Sequence, residues 1–477
     1  MEAPRVHMNG ESASGSVSTQ PAAPARPVAA RTRMLLEAPI LPALLRLSSS
    51  SVLNVLALAG MITFDGLFIG KLGADALAGV SLAFPWVMLV QHIAAGGIGA
   101  GAASAVARAL GSGNRGHADA LASHTFALGV ILAAIFSGLM IPAGPLVFQW
   151  MGGRGEVLAA ALAYANVAFA GAISIFMLNL LGNVVRGTGN MGMPAAVLVG
   201  AVLAHVALSP ALIFGWGPFP ALGLAGAGWG LAITFGAGSL VFVVYLRRRN
   251  SPVALILRGV RVQPELFREI LRVGVPAMVN SGITNLSVVV LTGIAGHLGV
   301  EAAIGYAMGA RLEYILIPLA VGIGFAIVAM VGTNWGAKQY ERARRIAWIG
   351  GATCAVACAA VGGFFTIYPR LWMGLFTEDP EVIRIGVSYL HIVGPIYALY
   401  GLGMGLYSSS QGLGRVFLPV LANAARLLAS AGGALAAIYW FDAGATGFFV
   451  AVAAGFAMYG ALTAIALNHI CKSGEQR

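Results

Sequence analysis

Two carboxylates stand where carboxylates are rare. Asp65 lies inside the apolar stretch SVLNVLALAGMITFDGLFIG (51–70), and Glu313 lies inside another at 302–332. Of the 17 acidic residues, only these two fall well within runs long enough to span a bilayer; Asp119 and Glu156 sit at span edges. A carboxylate at that depth costs about 2.5–3.5 kcal/mol on insertion scales, so such a residue marks an ion or proton path by default. An ionised carboxyl binds a cation, whereas a carboxyl in an apolar setting keeps its proton to higher pH. Protonation changes the cost of burying the group, and that difference can bias one arrangement of a protein over another. The structural alternative for Asp65 is permanent pairing with helix ends or polar neighbours. Arg311 precedes Glu313 by two residues, about 200° round a helix, so the two do not pair directly. For Glu313 a coupling role and a buried ion pair tying helices together both stand.

The elements that carry these groups must be membrane helices. The chain has 477 residues, 58% hydrophobic and 9% charged, with a mean hydropathy of +0.85. Soluble domains carry roughly 25% charged residues, so water alone cannot solvate this surface. The 65 glycines suit close helix–helix approach in a bundle. Strand-length alternation is absent, which argues against a barrel. The net charge of +11 resides in short loops rather than in a patch for nucleic acid, so no nucleic-acid partner is expected. Cys354, Cys358 and Cys471 are read as small packing residues, not metal ligands or a disulfide. There is no phosphate-binding GxxxxGK[ST] loop and no nucleophile elbow, so neither ATP hydrolysis nor enzyme chemistry is expected, and no cofactor.

Apolar runs fall at roughly 50–70, 77–105, 121–143, 158–182, 194–215, 223–246, 273–296, 302–332, 346–368, 384–408, 417–440 and 445–469. A span needs about 20 residues, so twelve transmembrane helices are expected. With the N-terminus inside, 22 Lys and Arg fall in inner segments and 4 in outer loops. That bias places both termini in the cytoplasm of a multi-pass protein. Residues 1–40, rich in Ala, Pro, Ser and Arg, are expected to form a disordered tail without a signal-peptide core. Residues 41–246 then form an N-lobe of six spans, 247–272 an inner loop, 273–469 a C-lobe of six spans, and 470–477 a second tail. Within the loop, PELFREILR is expected to be a short amphipathic helix on the inner leaflet, or a solvated connector.

The halves repeat. GGIGAGAASAVARALGSGNRGHA, from Gly96, aligns with VGIGFAIVAMVGTNWGAKQYERA, from Val321, at an offset of 225. IGKLGADALAG meets AGHLGVEAAIG at 226, and RGTGNMGMP meets QGLGRVFLP at 225. Each half has an even number of spans, so the copies are parallel repeats about an axis along the membrane normal. The fold class is therefore an all-α polytopic bundle of two six-helix lobes, and two such lobes rocking about a cleft form a transporter.

The DGLFIGKLGADALAG stretch, VARALGSGN after the second span, RGTGN after the fourth and VGTNWGA after the eighth resemble the MATE (multidrug and toxic compound extrusion) transporters. The resemblance runs from about residue 40 to 468, and the RLE stretch at 311–313 is similar to a bacterial branch. It implies an antiporter in a bacterial cytoplasmic (inner) membrane that exports organic cations or amphipathic drugs in exchange for H⁺ or Na⁺. The family's N-lobe cation site adds polar residues of the fourth and fifth spans to the acid at Asp65. Asn179 and Asn183 match the fourth-span positions and share a helix face. In the fifth span, where the family often shows Asn and then Asp four residues on, this chain has His205 and Ser209. That departure removes a carboxylate and adds an imidazole with an ordinary pKa near ~6.5. Hard cations prefer several oxygen ligands, so proton coupling is expected over sodium. His205 is read either as a relay to Asp65 or as a hydrogen-bonded packing residue. A C-lobe Glu known from another branch is absent, the nearest positions being Thr284 and Asn285; Glu313, with Arg311 nearby, could replace it.

Gln91, Phe176, Met177, Tyr306, Tyr397 and Tyr400 fall on spans that would face a cleft, where Met and aromatic side chains suit varied substrates. At helical spacing such residues are more often core or lipid-facing. Arg426 is read as snorkelling or paired. The expected function is secondary active efflux of small organic molecules by a monomer in the bilayer. The alternatives are a lipid-linked precursor flippase, or a peptide or metabolite exporter, of the same architecture. A flippase needs a basic cleft, and only Arg311 and Arg426 are available within spans. A membrane enzyme or scaffold would need convergent polar groups at one face.

Overall fold

Long uninterrupted apolar runs must satisfy their backbone groups internally, and the helix does so within one segment. The computed structural model describes residues 27–248, 250–257 and 262–475, and among them there is no strand. Helix α1 (Pro27–Glu37) leads into α2 (Ile40–Gly70), which covers the first expected span. The second is α3 (Ala74–His92), a π-helical segment at Ile93–Ile98 and α4 (Gly99–Gly111). Next come α5 (Arg115–Trp150), α6 (Gly155–Ala170) with α7 (Ala172–Gly187), α8 (Gly192–Phe214) and α9 (Leu224–Arg247). The second half comprises α10 (Pro264–Gly296), α11 (Val300–Ala310) with α12 (Glu313–Gly336), α13 (Tyr340–Ile367) and the short α14 (Pro369–Met373). It ends with α15 (Pro380–Val393), a 3₁₀ turn and α16 (Tyr397–Gly412), then α17 (Phe417–Tyr439) and α18 (Gly444–Glu475). Among the described residues 10 helices are long and apolar enough to cross a bilayer, and the α6–α7 pair, bent by 47°, makes 11. In α2 the apolar stretches are Ile40–Leu53 and Gly60–Gly70.

Each lobe has its own apolar core. Phe148, Phe169, Phe176, Phe235 and Phe242 fill the N-lobe; Tyr389, Tyr397, Phe448, Phe449 and Phe456 fill the C-lobe. The outer wall stays apolar, with Leu139, Leu146, Val289, Leu428 and Ile465 all exposed, as a lipid-facing surface requires. Cys354 and Cys358 are buried free thiols packed against Gly401 and Gly405 of α16.

The repeat is visible in the joint between lobes. A Cβ on Gly111 would stand 2.0 Å from the Thr333 carbonyl oxygen, and one on Gly336 would stand 2.0 Å from that of Arg108. Arg108 and Thr333 are themselves one repeat apart, so α4 and α12 cross with each glycine under the other's backbone. Gly97 against Met278 and Gly322 against Val52 form a second symmetric set. Polar groups seal the same joint. Arg108 of α4 pairs with Glu269 of α10 at 3.2 Å, and His117 Nε2 lies 2.9 Å from the same carboxylate. Ser104 Oγ donates to the Gln411 carbonyl.

Three expected boundaries are corrected. Residues 27–37, assigned to a disordered tail, form α1. Its Leu35 is buried, and the Leu35 carbonyl accepts from Asn334 of the C-lobe at 3.0 Å. The rest of that tail, 1–26, lies outside the described residues. PELFREILR is not a separate surface helix. With Pro264 at its first turn it opens α10, so the seventh span begins at 264 and not 273. At the other end α18 continues to Glu475, with Ile470 and Cys471 buried.

The connector between lobes is strapped to α5. The backbone N–H of Ala254 donates to Asp119 at 2.7 Å, that of Ile256 to Ser123 at 3.1 Å, and that of Gln263 to His124 at 3.0 Å. Thus the chain that leads into the C-lobe is fastened on the N-lobe, while α1, which leads into the N-lobe, is fastened on the C-lobe.

Candidate functional site

Asp65 is carried on α2, and α8 brings the groups that meet it. His205 and Ser209 are four residues apart, so one face of α8 presents both. His205 Nε2 lies 2.8 Å from one Asp65 oxygen and 3.0 Å from the other. Ser209 Oγ donates to Asp65 at 3.4 Å. Behind the imidazole, Thr234 Oγ1 of α9 is 3.5 Å from Nδ1 and donates to the Gly230 carbonyl at 2.7 Å. Gly230 makes this approach feasible: a Cβ there would sit 3.2 Å from the Ser209 Cα and 3.4 Å from the His205 ring. His205 is 1% exposed and Asp65 25%, so the histidine is sealed while the carboxylate opens on a cavity. That cavity, of about 280 Å³, has an apolar wall that includes Met61, Phe84, Val87 and Met88, with Ser81, Gln91 and Tyr164 as its other polar side chains.

The hydrogen bond between carboxyl and imidazole can hold a proton on either partner. With the proton on nitrogen, the imidazole donates to a carboxylate. With it on oxygen, the carboxyl donates to Nε2. An apolar pocket with one carboxylate on its wall can also take a cation. A cation and a proton then compete for the same charge.

The other expected N-lobe residues do not touch Asp65. Asn179 Nδ2 donates to Gln91 at 2.8 Å, which places Asn179 one residue back from the cavity. Asn183 donates to the carbonyl of Ala95, in the π-helical segment, at 3.2 Å and is fully buried. A Cβ on Gly99 would meet Asn183 Nδ2 at 2.4 Å, so Asn183 braces the second span. Sequence reasoning missed Tyr164 and Thr234. Their only signal was a hydroxyl within an apolar run.

In the C-lobe the eighth span breaks at Arg311–Leu312, and Glu313 opens α12. The N-terminus of a helix favours a negative charge. Tyr389 Oη donates to Glu313 at 3.0 Å and Tyr397 Oη at 3.5 Å, with 3.1 Å between the two hydroxyls. Arg311 points elsewhere, over the Phe376 ring at 5.2 Å. No Lys or Arg forms an ion pair with Glu313 among the described residues, so the ion-pair reading gives way to a tyrosine-capped carboxyl. Arg426 does not snorkel. At 4% exposure it donates to Asn423 at 2.8 Å and Ser287 at 3.0 Å, tying α17 to α10.

The expected substrate surface is also revised. Of its six residues, Gln91 lines the cavity beside Asp65. Phe176 and Met177 are buried in the N-lobe core, and Tyr306, Tyr397 and Tyr400 in the C-lobe core. Tyr306 packs edge-on against Tyr389 and Phe448. An aromatic face buried against other aromatics is not available to a ligand.

Comparison with known proteins agrees with this architecture. The sequence profile of the MatE family matches residues 51–211 and 276–434, one segment in each lobe. A probable multidrug resistance protein, YoeA of Bacillus subtilis (strain 168), is 28% identical over 377 residues, covering 77% of this chain and 80% of its own. An FAD transporter of Shewanella oneidensis is 26% identical over 401 residues, covering 83% and 87%. A multidrug resistance MATE family transporter solved in an outward-facing conformation superposes with a TM-score of 0.84 at 24% identity, over 93% of this chain and 98% of that one.

Proposed function

The chain belongs to the MatE family of membrane transporters, and from that membership we propose that it is a proton-coupled exporter of organic cations or other amphipathic small molecules. It works as a monomer in a bacterial inner membrane, with both termini in the cytoplasm. The observation that carries the reading is the Asp65–His205–Ser209 cluster on the wall of an otherwise apolar cavity. An apolar wall with one carboxylate fits a ligand that is greasy and cationic. Proton arrival at Asp65 removes the charge that holds the cation, and proton departure restores it. That competition is the elementary requirement of exchange.

The partners of Asp65 favour H⁺ over Na⁺. Sodium needs several oxygen ligands, whereas the imidazole and a single hydroxyl are what Asp65 meets among the described residues. Basic loops gathered at one end of the bundle support the orientation.

The test uses purified protein in liposomes, with a fluorescent organic cation as substrate and H⁺ and Na⁺ gradients imposed separately. A pH gradient alone should drive transport, and Asp65→Asn should abolish it while inserting normally. Transport driven by sodium alone, or full activity in Asp65→Asn, would overturn the reading.

A further inference from the structure

A second cavity lies in the C-lobe, at the end of the bundle that carries the basic loops. It measures about 300 Å³ and lies between the start of α10, the turn before α17 and the end of α18. Among the described residues that line it, the charged or ionisable ones are Arg272, Arg415 and His469. Arg415 is positioned by the Ile470 carbonyl at 3.5 Å. Arg272 and His469 are exposed. The first turn of α17 also lines the cavity, and no side chain caps that helix, so its positive dipole end adds to the field.

Two apolar stripes start at this cavity. On α17, Phe417, Leu421 and Leu428 lie within about 40° of one another round the helix. They are 67%, 49% and 73% exposed. On α10, Val275 and Val279 follow Arg272 by one and two turns and are 47% and 50% exposed. The two helices pack together, with Asn423 of α17 donating to Asn280 of α10 at 2.9 Å. A basic pocket at the membrane surface with greasy tracks leading into the bilayer has the layout of a phospholipid.

We propose that this cavity binds the phosphate of an anionic phospholipid headgroup, with the acyl chains lying on the α10 and α17 stripes. Basic pockets between transmembrane helices on the cytoplasmic side take such headgroups. A free phosphate would use the charges but has no need of the stripes. The pocket also adjoins the joint between lobes, because Arg272 is one turn along α10 from Glu269, the partner of Arg108.

The experiment measures lipid retained by the full-length detergent-purified chain, using native mass spectrometry with phosphatidylglycerol and phosphatidylcholine supplied in equal amounts. Phosphatidylglycerol should be preferred, and Arg272→Gln and His469→Gln should each weaken it, Arg272→Gln about fivefold. Arg272→Lys should restore binding, and Arg370→Gln, in the short helix α14 at the other end, should leave it unchanged. Thermal unfolding in phosphatidylcholine micelles should be the same for all variants, which separates lost binding from lost fold. Equal retention of the two lipids, or full retention by the Arg272→Gln/His469→Gln double variant, would overturn the proposal. Displacement of the lipid by millimolar glycerophosphate or inorganic phosphate would overturn it in favour of a soluble anion.

Discussion

His205 holds both oxygens of Asp65 and is itself almost sealed from the cavity, so the imidazole has one main task, the state of that carboxyl. Hydrogen bonds to a charged group contribute about 1.5–3 kcal/mol, which corresponds to a factor of about 10–100. His205→Gln should therefore slow transport under a pH gradient by that factor, measured as initial rate in proteoliposomes. Wild-type rates across the pH range would assign the histidine to packing alone. Glu313 gives a different expectation. Tyr389→Phe removes its nearer donor and should destabilise the C-lobe by about 1–3 kcal/mol, read as a lower unfolding temperature. An unchanged unfolding temperature would show that Tyr397 or water carries the carboxyl without Tyr389. Asp65 was legible in sequence because a lone acid in an apolar run needs no partner to be noticed. Thr234 was not, because a threonine hydroxyl in a membrane helix commonly bonds its own backbone four residues back, as it does here to Gly230, and Tyr164 was not, because an aromatic in an apolar run reads as core.

At the level of elements, glycine decides how the lobes meet. Gly111 and Gly336 place backbone on backbone where α4 crosses α12. Overpacking such a contact costs about 1–3 kcal/mol. Gly336→Ala should loosen this joint, and a cysteine probe reports it: Ser104→Cys, buried in the same seam, should react with a membrane-permeant maleimide at least about fivefold faster in the Gly336→Ala background. Equal labelling rates would mean that the joint absorbs the methyl without opening. The same region explains a misreading. PELFREILR has the polar pattern of a surface helix, yet α10 runs through it without a break. Its Glu269 faces Arg108 and His117 in the joint, not solvent alone. Polarity at the start of a span therefore reported a contact between lobes.

The whole molecule is fastened by exchanged straps, α1 on the C-lobe and the connector on α5. Asp119 accepts the connector's Ala254 N–H at 2.7 Å. Asp119→Ala should free that strap, and proteolytic cleavage between residues 247 and 263 should rise about tenfold or more, as expected for the loss of a charged hydrogen bond. Unchanged cleavage would show that Ser123 and His124 hold the connector without it. The sequence by itself determined the all-helical membrane class, the two-lobed repeat, the family resemblance and the isolated acid, because length, composition, internal offset and charge are properties of the chain read in order. Only the tertiary structure decided that His205 rather than Asn179 or Asn183 meets Asp65, that the aromatic residues of both lobes are core, and that α1 is docked. The physical reason is the solvent. In a bilayer the lipid-facing and core-facing sides of a helix are both apolar, so periodicity no longer marks the inside, and a contact between positions 65 and 205 leaves no trace in the residues near either one.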